Sequence, residues 1–128
     1  AVLAKDRIVI STGYNSPPRG SQLCHDGKCI WPKEQRSRRN DLNGCPAVHA
    51  EVNAVIAAAR IGTSTRNAVL YCVCPPPCKN CLAALINAGV SYVYCVGDEY
   101  YDDLSRKYAE GDDALIGLTC FREEDLAD

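Results

Sequence analysis

Two stretches decide the fold: Pro46-Ala47-Val48-His49-Ala50-Glu51-Val52 and Pro75-Pro76-Pro77-Cys78-Lys79-Asn80-Cys81. In each, a proline stands just ahead of a helical pattern, where its fixed φ and missing N–H do no harm. His49 is then expected in the first turn of one helix, and Cys78 and Cys81 in the first turn of the next. Residues three apart share a helix face, so both thiols can meet one ion. One imidazole and two thiolates leave the fourth tetrahedral position of a zinc ion open, which marks a catalytic rather than a closed structural site. Glu51 sits beside His49 without needing to be a ligand, where it can handle protons. The positive ends of both helices favour thiolate there.

Either half alone is weak. His-x-Glu recurs by chance, and Cys-x-x-Cys also serves as a redox pair or as half of a structural zinc site, for which Cys45 or Cys74 could complete the set. The order of both halves, each at a helix start, is what makes the pattern specific.

Working outward from these stretches, Ala1–Ala4 and Arg7–Thr12 are expected to form a β-hairpin, closed by a Pro/Gly loop from Gly13 to Gly20. A polar excursion without periodicity follows, from Ser21 to Gly44, with Trp31 and a basic run from Lys33 to Arg39. Pro46 is expected as the first residue of a helix with the apolar stripe Val48, Val52, Val55, Ile56 and Ala59, stopped by Gly62. Val69–Cys74 is expected as a strand, Cys78–Ala88 as a helix ended by Gly89, Tyr92–Val96 as a strand, Tyr100–Glu110 as a helix and Leu115–Phe121 as a strand. This alternation predicts one layered α/β domain over residues 1–128.

Composition sets further bounds. With 47% apolar and 23% charged residues and a formal net charge of -2, the chain lacks the basic surface that sequence-independent nucleic-acid binding needs. Its apolar runs are too short to span a bilayer and no signal-peptide pattern opens it. Nine cysteines without a secretory signal favour an intracellular, metal-binding use over a disulfide framework. The chain contains no methionine, so an initiator has been removed or residues precede Ala1.

The order His-x-Glu then Pro-Cys-x-x-Cys, together with Gly13-Tyr14-Asn15, the Cys45-to-Ala54 segment, Leu70-to-Cys81 and Asn87-Ala88-Gly89-Val90 leading into Tyr94, resembles the cytidine-deaminase-like family. Within it the chain is most similar to the deoxycytidylate (dCMP) deaminase branch, of the phage or bacterial type. The resemblance runs from Ala1 to about Tyr101. It implies a three-layer α/β/α fold with a five-stranded mixed sheet, although the helix that the family carries before its first strand is missing here. Pro75 and Pro76 replace the usual approach to the Pro-Cys turn.

What the resemblance implies for chemistry is zinc-dependent hydrolysis of dCMP to dUMP and ammonia, supplying thymidylate synthesis, with Glu51 moving protons. Ala50 would offer its backbone N–H to the pyrimidine, Asn15 would meet the sugar 3′-oxygen, and Tyr94 is a candidate for packing on the base, or else plain core. Arg19, Lys33, Arg36, Arg38 and Arg39 are candidates for the phosphate, or a solvated charged loop. In this branch dCTP and dTTP act at a second site between subunits, so Mg2+ with a regulatory nucleotide and a homo-oligomer (hexamer or dimer) are implied. Arg60 is a candidate there, or else a surface partner of the helix dipole. Cys24, His25, Cys29 and Cys45 form a candidate second, structural zinc set, the alternative being reduced thiols. A cytoplasmic protein without membrane or nucleic-acid partners is expected. The rival readings are a deaminase of free cytidine or of cytosine in single-stranded nucleic acid, and a noncatalytic zinc-stabilised binding module.

Overall fold

The computed structural model describes residues 1–21 and 45–126. Strands β1 (Val2–Lys5) and β2 (Ile8–Thr12) form the hairpin, followed by α1 (Ala50–Ile61), β3 (Val69–Tyr71), α2 (Lys79–Asn87), β4 (Tyr92–Val96), α3 (Asp103–Ala109) and β5 (Gly117–Phe121). The sheet is five-stranded and mixed, in the order β2-β1-β3-β4-β5. β1 pairs antiparallel with β2 and β3, while β3, β4 and β5 run parallel.

The parallel half explains where the helices lie. A parallel connection within one sheet is right-handed, and β3-α2-β4 and β4-α3-β5 step in the same direction, so α2 and α3 share a face. α1 packs on α2 and α2 on α3, which puts all three there. The described residues thus supply the sheet and one helical layer. On the other face Tyr71 stacks on Tyr94 (5.2 Å between centroids) and Tyr94 on Phe121 (5.9 Å). Leu126, in the short 3-10 helix Glu123–Leu126, lines a cavity with these three rings.

The core lies under the helices. Leu3, Leu70 and Val93 form a row across adjacent strands and are fully buried against Leu82 and Leu85 of α2. Burying each such side chain contributes about 1.5–3 kcal/mol.

α1 corrects two expectations. It begins at Ala50, with His49 as its N-cap, so Pro46 lies ahead of the helix rather than at its first turn. Its buried residues are Glu51, Ala54 and Ala58, whereas Ile56 is exposed. The helix presents small residues to the sheet because it lies very close to β2. Ser11 Oγ donates to Ala54 O at 2.7 Å, and a Cβ placed on Gly13 would stand 2.3 Å from Ala50 O. Gly62 ends α1 as expected, at φ 83 with its N–H on Ala58 O and Ala59 O, a left-handed cap that glycine adopts without strain.

The remaining boundaries shift for local reasons. Regular β3 ends at Tyr71, but the next residues stay beside β4: Cys72 N–H donates to Tyr94 O (2.9 Å) and Val96 N–H to Cys74 O (3.0 Å). α3 starts only after Asp102, whose carboxylate caps it, and β5 starts at Gly117, where a Cβ would run into the Tyr92 ring. None of the described helices is long and apolar enough to cross a membrane.

Candidate metal centre

His49 and Cys78 are the N-cap residues of α1 and α2, and neither spends its side chain on capping. Both side chains turn to a common point with Cys81, one turn into α2. His49 Nδ1 lies 3.2 Å from Cys81 Sγ and 3.7 Å from Cys78 Sγ. The three donor atoms lie within 4.8 Å of one another. Zinc bonds near 2.0 and 2.3 Å at tetrahedral angles separate a nitrogen from a sulfur ligand by about 3.6 Å, so the donor set fits that ion.

The charge state also fits. The Cys78 thiol falls to about 5 because Cys81 hydrogen-bonds to it. Burial opposes the shift, and backbone N–H groups of Cys81 and Asn80 and the nearby His49 add to it. Cys81 is pushed far up, first by that same hydrogen bond and then by burial. The pair holds one proton between them, and zinc would displace it. Cys78 and Cys81 are buried, and with Cys72, Cys74, Cys95 and Cys120 they are unpaired thiols rather than disulfides.

Glu51 projects from the buried face of α1, only 6% exposed, and its Oε1 accepts from Cys74 Sγ at 3.1 Å. A hydrogen bond with Cys72, then burial, and after these the charges of Cys72 and Glu51 push the Cys74 thiol far above its ordinary range. A cavity of about 330 Å³ opens here, lined among others by Asn15, His49, Ala50, Glu51, Cys74 and Cys78. Its volume is at the lower end for a small-ligand site.

Asn15 reaches this cavity in an unexpected role. Its Oδ1 accepts the Ala50 N–H at 2.7 Å. As the first helical residue, Ala50 has no intrahelical acceptor for that N–H, and Asn15 supplies one from across the loop. In this structure the Ala50 N–H expected to meet a pyrimidine is thus held by Asn15. Asn53 fixes the same loop through Nδ2, which donates to Tyr14 O (2.8 Å), Val48 O (3.1 Å) and Ser16 Oγ (3.2 Å).

Other expected site residues lie elsewhere. Val93 and Cys95 take the helix side of β4, so alternation places Tyr94 in the aromatic stack on the opposite face. Arg19 and Arg60 line a separate cavity of about 400 Å³ with Tyr14, Pro17 and Ile56. Cys45 is half-buried and lies outside the His49 cluster. Cys24, His25, Cys29, Lys33, Arg36, Arg38 and Arg39 lie outside the described residues.

One supporting residue has no counterpart in the sequence reading. Asp102 Oδ1 accepts from Ser105 N–H (2.7 Å), capping α3, while its Oδ2 accepts from Lys79 N–H (3.1 Å) at the start of α2. Burial alone would raise this carboxyl, but those backbone donors outweigh it and hold it below the usual carboxylate range. The N-terminus that carries Cys78 and Cys81 is thereby tied to α3. An Asp ahead of a helical run is a legible cap, but its second bond is tertiary and leaves no mark in the sequence.

A mixed sheet with one imidazole, two thiols and a buried carboxylate gathered at two helix N-termini defines an α/β protein with a candidate three-donor metal site. Residues 1–97 match the cytidine and deoxycytidylate deaminase zinc-binding region, and the chain belongs to that family. It is 38% identical over 93 residues to the deoxycytidylate deaminase of Schizosaccharomyces pombe, covering 72% of this chain and 28% of that protein. It is 32% identical over 133 residues to the deoxycytidylate deaminase of enterobacteria phage T2, covering 80% and 69%. The dCMP deaminase of cyanophage S-TIM5, solved in complex with dCMP and dUMP, shares the fold at a TM-score of 0.66 and 22% identity, covering 94% of this chain and 78% of that one.

Proposed function

We propose that the chain deaminates dCMP hydrolytically, with water and dCMP giving dUMP and ammonia. The observation that carries this is the buried Glu51 carboxylate beside, but outside, the His49-Cys78-Cys81 donor set. A structural zinc site has no use for such a group. The named relatives are deoxycytidylate deaminases, which supports the substrate.

His49, Cys78 and Cys81 would hold zinc, which when bound brings the pKa of a water to about 7 and so provides a nucleophile at neutral pH. Glu51 would take a proton from the attacking water and deliver it to N3 of the cytosine, then assist departure of ammonia from C4. Its burial keeps competing solvent away from the transfer. Asn15 holds the rim of the cavity through Ala50 and retains its amide Nδ2 to donate to a sugar oxygen. Arg19, at the end of the same loop, and the cations of residues 33–39 are the candidates for the phosphate. Regulation by dCTP or dTTP with Mg2+, and the homo-oligomer that such a site between subunits would require, belong to this reading through the family branch.

The test is ammonia release from dCMP, deoxycytidine and an oligodeoxynucleotide, each with and without dCTP and dTTP. dCMP should react fastest. Reaction of the oligonucleotide alone would overturn the nucleotide assignment, and zinc binding without reaction of any substrate would indicate a binding module.

A further inference from the structure

Beside the first donor set lies a second, made of Glu51, Cys72 and Cys74, whose ligand atoms also lie within 4.8 Å of one another. We propose that these three side chains form a second, inhibitory metal site that takes a thiophilic divalent cation, Cd2+ or Zn2+ in excess.

Two thiols and a carboxylate match the preference of soft to borderline ions. In a tetrahedral zinc site, sulfur ligands stand about 3.8 Å apart, so the observed spacing closes onto an ion with sub-ångström movement. The ligands are also held in advance of any ion. Cys72 and Cys74 are fixed by backbone bonds to β4, through Tyr94 O and Val96 N–H, and Glu51 is fixed in the first turn of α1. All three line the 330 Å³ cavity, so an ion has an entry path and a vacant direction for water. The other close thiol pair, Cys95 and Cys120 (3.5 Å), is joined by no third ligand atom within 4.8 Å among the described residues and lines no part of that cavity.

Binding is a proton exchange without redox chemistry. Each thiol gives its proton to solvent as its metal–sulfur bond forms, and the carboxylate completes the set. Glu51 is the proton carrier of the reaction proposed above, so an ion on Glu51 removes that carrier and fills the substrate's cavity. The inhibitory effect rests on the deaminase reading; the binding itself does not.

The test is titration of the zinc-loaded full chain with Cd2+, reading both metals by elemental analysis after desalting, together with the cadmium–thiolate absorption band and ammonia release. The wild type should keep its zinc and take up one more Cd2+ per chain than a Cys72→Ser/Cys74→Ser variant, with turnover falling as that ion binds. Glu51→Gln should keep zinc and weaken Cd2+ binding by more than about tenfold. Equal uptake by the wild type and the double serine variant, or Cd2+ appearing only as zinc leaves, would overturn the site. Should the double variant not fold, the near-isosteric Glu51→Gln decides, since unchanged Cd2+ affinity there would sink the proposal. The metal counts need no substrate, so inactivity towards dCMP would refute the deaminase reading while leaving this one standing.

Discussion

Gly13→Ala is the sharpest probe of how the fold sets the site. A Cβ there would lie 2.3 Å from Ala50 O, 2.4 Å from Ala54 N and 2.9 Å from Asn53 C. All three are backbone atoms of α1, so no side-chain rotation relieves the clash. To restore ordinary contact the end of β2 and the first turn of α1 must part by roughly 1 Å, a gap that forfeits a large share of the dispersion energy along it. Overpacking a rigid site costs about 1–3 kcal/mol, and with only backbone to yield, the cost should be near 3. Urea unfolding should show this as a midpoint lowered by at least about 1 M. The turn that must move carries His49 and Glu51, and a displacement near 1 Å at a reacting group costs about a hundredfold in rate. The contrast is Gly62→Ala at the far end of α1, where nothing lies within 4 Å of an added Cβ and only the positive φ is strained. It should lose about 1–2 kcal/mol and keep its zinc and its turnover. If Gly13→Ala unfolds within about 0.5 kcal/mol of the wild type and turns over normally, the close approach of β2 to α1 does not position the site.

Further outcomes follow from single contacts. Glu51→Gln should abolish ammonia release while elemental analysis still finds zinc; loss of the metal would make Glu51 a ligand. Asp102→Asn keeps the acceptor that caps α3 but puts an amide NH2 where Oδ2 accepts from Lys79, so zinc release to a chromogenic chelator should quicken while the fold persists. Because the Asp102 pKa is lowered in the folded chain, its stabilisation is present above the unfolded value of about 3.9 and disappears as pH falls through the folded one. Unfolding midpoints of wild type and Asp102→Asn should therefore differ at neutral pH and converge in acid. Asn53→Ala removes two hydrogen bonds to the loop that presents Asn15 and a third to Val48 O ahead of α1, and should raise KM for dCMP several-fold with zinc retained.

The parts of the site that the sequence revealed are those in which chemistry restricts the residue type. Only certain side chains ligate zinc, so His49, Cys78 and Cys81 stand out by type and spacing, and the structure brings those three donors together. Gly62 was legible for a similar reason, since a left-handed helix end favours glycine. β4 was legible by its alternation, and its observed span, Tyr92–Val96, is the expected one. The face of α1 was not legible. Of the expected stripe Val55 does pack against the core, but periodicity favoured larger side chains such as Ile56, which is exposed, whereas the close approach of β2 puts Ala54 and Ala58 at the contact.

Contacts made to backbone groups were equally hidden, because every residue offers the same N–H. Asn15 on Ala50 and Asp102 on Lys79 join positions far apart in the chain, and neither partner's side chain takes part. Yet these two bonds satisfy the first N–H of α1 and of α2, the helices whose caps supply His49 and Cys78. An N-cap normally turns its own side chain back onto the helix, and here both caps are released from that duty to face the metal. The ligands therefore depend on Asn15 and Asp102, which bind no metal. Replacing either should loosen zinc without removing a single ligand.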